Sequence, residues 1–191
     1  MRYVLIVLIL LLSACQNSPP NVKEIDMYNS SGDMIGTATL SEQAEGVNIK
    51  VKVEGLTPGF HGIHIHEYAK CEGPDFKSSG NHLNPDGSQH GLMNPDGPHL
   101  GDLPNIEADS SGYVETEIMA NEATLKDTKK SLLKKDGTSL VITAGQDDGV
   151  TQPGGNSGER IACGLIQQID KNDKNETPTD PTQFNEKEEE G

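Results

Sequence analysis

The sequence predicts an all-β domain, and three observations lead to that class. Glycine and proline are frequent, 21 and 11 in 191 residues, so turns interrupt the chain at short intervals. Hydrophobic residues make up only 32% and aromatics 4%, too few for the long apolar stripes of a helix bundle. Within Gly46–Val53, Val47, Ile49, Val51 and Val53 alternate onto one face, the period of a half-buried strand. The length fits one domain with tails.

Met1-Arg2 precedes an apolar run, Tyr3 to Leu12, that is too short to span a bilayer. A basic start, a short apolar core and small residues after it describe an export signal. The run ends in Leu12-Ser13-Ala14-Cys15, which resembles a bacterial lipobox. That resemblance implies a lipoprotein signal peptide over residues 1–14, cleavage before Cys15 and a lipid on its sulfur. The protein is then expected to be exported and membrane-anchored, at the cell surface or the periplasmic face of a bacterial membrane. Residues 15–23 supply the lipidated cysteine and a polar tether with a Pro-Pro step.

The domain is expected over residues 24–169. Glu24–Tyr28 and Met34–Leu40 flank the turn Asn29-Ser30-Ser31-Gly32-Asp33, as strands of a hairpin do. Gly46–Val53 follows, then Phe60–His66 after Gly55-Leu56-Thr57-Pro58-Gly59. Ile106–Ala108, Tyr113–Met119, Ser139–Ala144 and Arg160–Ile169 supply the later strands, and Ala120–Leu133 is the one helical expectation. Tyr68–Pro104 and Gly145–Glu159 lack regular periodicity, and loops of that length in a compact domain are usually functional. No internal repeat stands out. Residues 170–191 are polar and acidic with almost nothing to bury, so a disordered tail is expected there.

Thirty acidic against fifteen basic residues give a formal charge of −15. Such a field favours solubility and repels nucleic acid and anionic lipid head groups, excluding both as surface partners. Three cysteines are an odd number for an exported protein. With Cys15 lipidated, Cys71 and Cys163 remain as one pair in an oxidising compartment. A bridge between them closes a loop of about ninety residues, worth ~4–5 kcal/mol in the chain-entropy model.

All six histidines fall between residues 61 and 99. His64 and His66 lie two apart on a strand, hence on one face, side by side as one metal ion requires. His61 points to the other face and reads as a hydrogen-bonded structural residue. His82, His90, His99 and Asp102 lie on the long loop; three imidazoles and one carboxylate suit tetrahedral zinc with no open position. Zinc there would order a loop with few apolar residues.

Taken together, these residues resemble the copper/zinc superoxide dismutases. The likeness is carried by Gly59-Phe60-His61-Gly62-Ile63-His64-Ile65-His66-Glu67, Cys71, Gly80-Asn81-His82-Leu83-Asn84-Pro85 and His90-Gly91. It continues in His99-Leu100-Gly101-Asp102-Leu103-Pro104-Asn105 and Gly155-Asn156-Ser157-Gly158-Glu159-Arg160-Ile161-Ala162-Cys163-Gly164. The resemblance implies an eight-stranded antiparallel Greek-key barrel or sandwich with two long functional loops, the Cys71–Cys163 disulfide, and one zinc and one copper ion. Zinc would take His82, His90, His99 and Asp102; copper would take His64, His66 and the shared His82. Asp147 matches the carboxylate that links His64 to His90, and Arg160 the arginine that attracts the superoxide anion. Arg160 and His82 would be the catalytic pair in the dismutation of superoxide to oxygen and hydrogen peroxide. Dimer contacts vary within the family, so a homodimer is compatible with the sequence.

The resemblance breaks at one ligand. The family's fourth copper histidine falls where this chain reads Leu140-Val141-Ile142-Thr143-Ala144-Gly145. A neutral hydroxyl is a poor ligand for Cu(II), which prefers nitrogen donors in tetragonal geometry. A complete zinc site and a three-ligand copper site follow, with weaker Cu(II) binding, a raised reduction potential and impaired turnover expected. The alternative is a zinc-structured protein of this family that binds copper weakly and has no significant activity.

Overall fold

A computed structural model describes residues 22–168, so the signal peptide, Cys15 and the tail from residue 170 lie outside the described residues. The described residues form nine strands and a single turn of 3-10 helix, Lys77–Ser79. The strands are β1 (Val22–Asn29), β2 (Met34–Glu42), β3 (Gly46–Val53), β4 (Gly59–His61), β5 (Ile63–His66), β6 (Ile106–Ala108), β7 (Val114–Asn121), β8 (Thr138–Thr143) and β9 (Arg160–Ile166). Seven make one antiparallel sheet in the order β5-β8-β9-β1-β2-β3-β7, and β4 pairs with β6 in a small second sheet.

The alternation read from the sequence is what closes the core. Val47, Ile49, Val51 and Val53 are all buried. Leu40, Ile49 and Ile118 face one another across β2, β3 and β7, and Ile25, Ala38 and Val51 make a second row. β3 and β6 keep their expected bounds, and the other strands shift by a few residues at their ends.

Two expectations are corrected. The strand expected over Phe60–His66 splits at Gly62, giving nine strands where eight were expected. Gly62 donates to the Gly145 carbonyl and accepts from the Thr143 amide, and a Cβ there would lie 2.5 Å from Thr143 Oγ1. The pairing changes at that glycine, β4 going to β6 and β5 to β8, and a side chain there would press on Thr143, His64 and Ser157.

The helix expected over Ala120–Leu133 does not form. Ala120 and Asn121 finish β7, and turns follow. The hydroxyls of Thr124, Thr128 and Ser131 each accept a backbone amide two residues on, from Lys126, Lys130 and Leu133. Such local bonds compete with helical ones. Glu42 also captures the Leu125 amide at 2.6 Å, and Leu125 and Leu132 are buried in the core.

Cys71 and Cys163 are disulfide-bonded, with Cα atoms 5.7 Å apart across 92 residues. The bridge pins the loop after β5 to the middle of β9. Val141 and Phe76 pack around it in a separate small cluster.

Candidate metal centre

β5 is an edge strand, and its free edge builds the site. One side of β5 pairs with β8; on the other, the Ile65 amide donates to the Gly101 carbonyl and the Ile65 carbonyl accepts from Leu83. The loop between β5 and β6 therefore runs along β5 like a further strand. A Cβ on Gly101 would collide with the Ile65 carbonyl, so this approach requires glycine. Isolated bridges consequently pair His66 with His82 and His64 with Asp102. Main-chain docking thus brings together residues that are 16 to 38 positions apart in the sequence.

Two ligand groups result: His82, His90, His99 and Asp102 in one, His64, His66 and His82 in the other. Within each, one atom per residue lies within 4.8 Å of all the others. His82 belongs to both.

On the first side, three imidazoles aim Nδ1 at a single oxygen. Asp102 Oδ1 lies 2.8 Å from His82, 3.0 Å from His90 and 3.3 Å from His99. The second oxygen, Oδ2, accepts the amides of Gly91 and His99 at 2.8 and 2.9 Å. Burial would raise this carboxyl, but bonds from His82, His99 and Gly91 outweigh it and hold Asp102 well below the usual carboxylate range. Three nitrogens and one ionised oxygen converging this way fit a tetrahedral zinc ion, whose charge would replace the shared protons.

On the second side, hydrogen bonds fix the tautomers. The carbonyl of Gly80 can only accept, so His66 Nδ1 carries the hydrogen (3.0 Å) and Nε2 is left with its lone pair. His64 Nε2 donates to Asp147 Oδ2 at 2.6 Å, leaving Nδ1 with the lone pair. Those two lone-pair nitrogens are buried and unpartnered. Buried polar atoms without partners are rare, and two of them beside a third imidazole are the donor set of a soft or borderline metal ion. Burial lowers His82 to about 4 despite its Asp102 bond, and holds His66 well below the ordinary histidine value, so both rings are neutral ligands at neutral pH.

Thr143 does not complete that set. Its hydroxyl hydrogen is shared between the Gly62 and Gly145 carbonyls, at 3.2 and 3.3 Å. The three copper-side ligands expected from the sequence converge, and the buried Thr143 lies near His64, its Oγ1 and the His64 Cε1 both flanking the space over Gly62.

Asp147 ties the two sides together, through Oδ2 to His64 and through Oδ1 to His90 at 3.2 Å. Burial would raise its carboxyl, but the bonds from His64 and Gly149 bring it down to about 2. Arg160 is half-buried and donates to the Phe76 carbonyl, Ser79 Oγ and the Gly80 carbonyl, each at 2.9 Å. It thereby fixes the carbonyl that orients His66. His61 faces away as expected, its ring nitrogens each 2.8 Å from the carbonyls of Thr143 and Thr57.

Sequence reasoning missed the clamps behind these ligands. Asn105 exchanges two bonds with the backbone of Asp147, and Gln152 two with that of His90. Nothing in the sequence marks Gln152. A signal did exist for the ligand spacing: Asn-Pro-Asp-Gly occurs twice, at residues 84–87 and 94–97. Each copy makes a turn, with Asn84 bonding Ser88 and Asn94 bonding Asp96 and the His90 carbonyl. One turn lies between His82 and His90 and the other between His90 and His99.

Residues 34–166 match the family model described as copper/zinc superoxide dismutase. Among curated proteins, a Cu-Zn superoxide dismutase of Aquifex aeolicus is 45% identical over 160 residues, spanning 83% of this chain and 94% of its own. A superoxide dismutase-like protein of Bacillus subtilis is 39% identical over 145 residues, 74% of each chain. A crystal structure of a B. subtilis protein of that description superposes with a TM-score of 0.73 at 38% identity, covering 75% of this chain and 97% of the other. The Cu/Zn superoxide dismutase of Brucella abortus gives 0.64 at 30% identity, covering 76% and 99%.

Proposed function

The chain belongs to the copper/zinc superoxide dismutase family, and we propose from the geometry of its metal centre that it dismutates superoxide with a complete zinc site and a three-nitrogen copper site. The observation that carries the second half is Thr143, whose hydroxyl is committed to two carbonyls where a fourth nitrogen ligand would stand.

Bound copper supplies one-electron chemistry, removing an electron from one superoxide and delivering it to another. The chain's residues do the rest. His64 Nδ1, His66 Nε2 and the shared His82 would hold the ion, and Asp102 and Asp147 set the orientation of His82 and His64. Arg160 provides a fixed cation beside the His66 support, where it attracts a small anion against the −15 charge of the chain. His82 Nε2 is unprotonated at neutral pH, so it is free to act as a ligand or to take a proton bound for the peroxide product.

A three-nitrogen set would suit the reduced ion better than the oxidised one, which would raise the potential and slow reoxidation. The protein works from the outer face of a membrane, held by a lipid on Cys15; Leu12-Ser13-Ala14-Cys15 supports this. Thr143 also favours a second reading, a zinc-ordered member of the family without significant activity. Measuring the dismutation rate of the zinc- and copper-loaded protein beside Thr143→His decides between them. A measurable wild-type rate that rises roughly tenfold or more in the variant, at least about 1.4 kcal/mol of barrier, is expected. No wild-type rate above that of free copper would favour the second reading. Equal rates in the two proteins would remove the case for impairment.

A further inference from the structure

Away from the metal centre, one stretch reverses the sign of the chain. Five of the fifteen basic residues, Lys126, Lys129, Lys130, Lys134 and Lys135, fall within ten positions, with Asp127 the one acid among them. This is the loop between β7 and β8. Lys126 pairs with Glu42, Lys129 with Asp86, and Lys130 with Asp86 and Glu122. Lys134, half-buried, and Lys135, exposed, have no carboxylate within ion-pair distance among the described residues. These two lysines line a cavity of about 560 Å³ together with Leu125, Leu133, Asp127 and Asp136. Gln167 and Gln168 form part of its wall, so the chain leaves the described residues from the cavity itself.

The sequence beyond that exit matches what the cavity offers. Residues 170–191 carry eight carboxylates and three lysines, and Phe184 is the one large apolar side chain after Ile169. Glu186, Glu188, Glu189 and Glu190 follow it within six positions. The end of the chain thus joins an aromatic ring to a block of negative charge, and the cavity joins two leucines to two open ammonium groups. A segment with so little to bury cannot fold by itself but can order against a surface. Sixteen residues connect Gln168 to Phe184. A tether of that kind holds the ring near the cavity at an effective concentration on the order of 1 mM.

We propose that Phe184–Glu190 docks back on this cavity, with Phe184 seated against Leu125 and Leu133 and the glutamates on Lys134 and Lys135. Asp127 and Asp136 line the same cavity; they repel carboxylates and suit Lys187, the one cation in the docking segment. The chain has no tryptophan, so Phe184→Trp makes a single fluorescent reporter. In the zinc-loaded protein its emission should lie to the blue of that in the isolated peptide 170–191, with acrylamide quenching roughly threefold weaker. Glu186→Gln, Glu188→Gln, Glu189→Gln and Glu190→Gln together, which leave every described residue unchanged, should return both signals to the peptide values. Lys134→Glu with Lys135→Glu should do the same from the other side. Peptide-like signals in the reporter protein, or signals that either set of charge changes leaves in place, would overturn the proposal. So would a signal that fades on dilution, since it would assign the contact to a second copy.

Discussion

The two ligand groups, which we propose hold zinc and copper, share His82 but are supported differently. On the zinc side, three Nδ1 atoms crowd one carboxylate oxygen; those of His82 and His90 are hydrogen-bonded to it, while that of His99, 3.3 Å away, is left without a hydrogen bond. On the copper side, two buried nitrogens have no partner, and the Thr143 hydroxyl, which we propose stands in place of a fourth ligand, is turned to the backbone. The zinc pocket is thus self-organised by Asp102, whereas the copper pocket is imposed from outside. His66 is oriented by Gly80, Gly80 is held by Arg160, and the loop carrying both is stapled by Cys71–Cys163. A site that depends on a scaffold would keep its shape if one ligand were replaced, which is how we read Thr143.

That contrast can be broken most forcefully at the disulfide. Cys71→Ala should cost ~4–5 kcal/mol of stability by chain entropy, and should release the loop that carries Ser79 and Gly80. Calorimetry with parallel metal titrations would check it: copper binding should suffer far more than zinc binding. Equal losses at both sites would mean that the pockets are not separately supported.

Asp102→Asn should show the reverse preference. It removes the charge on which three histidines converge, at a cost of about 3 kcal/mol in the metal-free protein. Zinc affinity should fall at least about 100-fold, measured by chelator competition.

The gentlest probe is acid. His82 in the metal-free fold titrates at about 4, against 6.5 for an ordinary histidine. Between those values the unfolded chain binds the extra proton, so stability falls as pH drops through that window. Asp147, lowered to about 2, adds a further loss as pH falls below the usual carboxylate value of 3.8. Each proton contributes at most about 1.4 kcal/mol per pH unit. Denaturant midpoints of the metal-free protein between pH 7 and 3 would show the slope. A flat profile would mean that these groups are not held as the hydrogen bonds indicate.

Much of the fold and of the metal centre is legible in the amino-acid sequence. Strand periodicity locates β3 and β6 to the residue, and histidine spacing separates the His64–His66 pair from the loop ligands. Arg160 and Asp147 are legible only through the family resemblance, since lone loop charges carry no pattern. The Leu125, Leu132 and Leu133 spacing imitates a helix, and the hydroxyls of Thr124, Thr128 and Ser131 that prevent it act through geometry invisible in hydropathy. Asn105 and Gln152 are illegible for a related reason: an amide that clamps a distant backbone has no local signature.

The most direct measurement is the nitrogen hyperfine coupling of Cu(II) bound at one equivalent to the zinc-loaded protein, with Thr143→His as reference. Three coupled nitrogens and an exchangeable water are expected in the natural protein, and four nitrogens in the variant. Four nitrogens in both, or a spectrum that Thr143→His leaves unchanged, would contradict a three-nitrogen copper site.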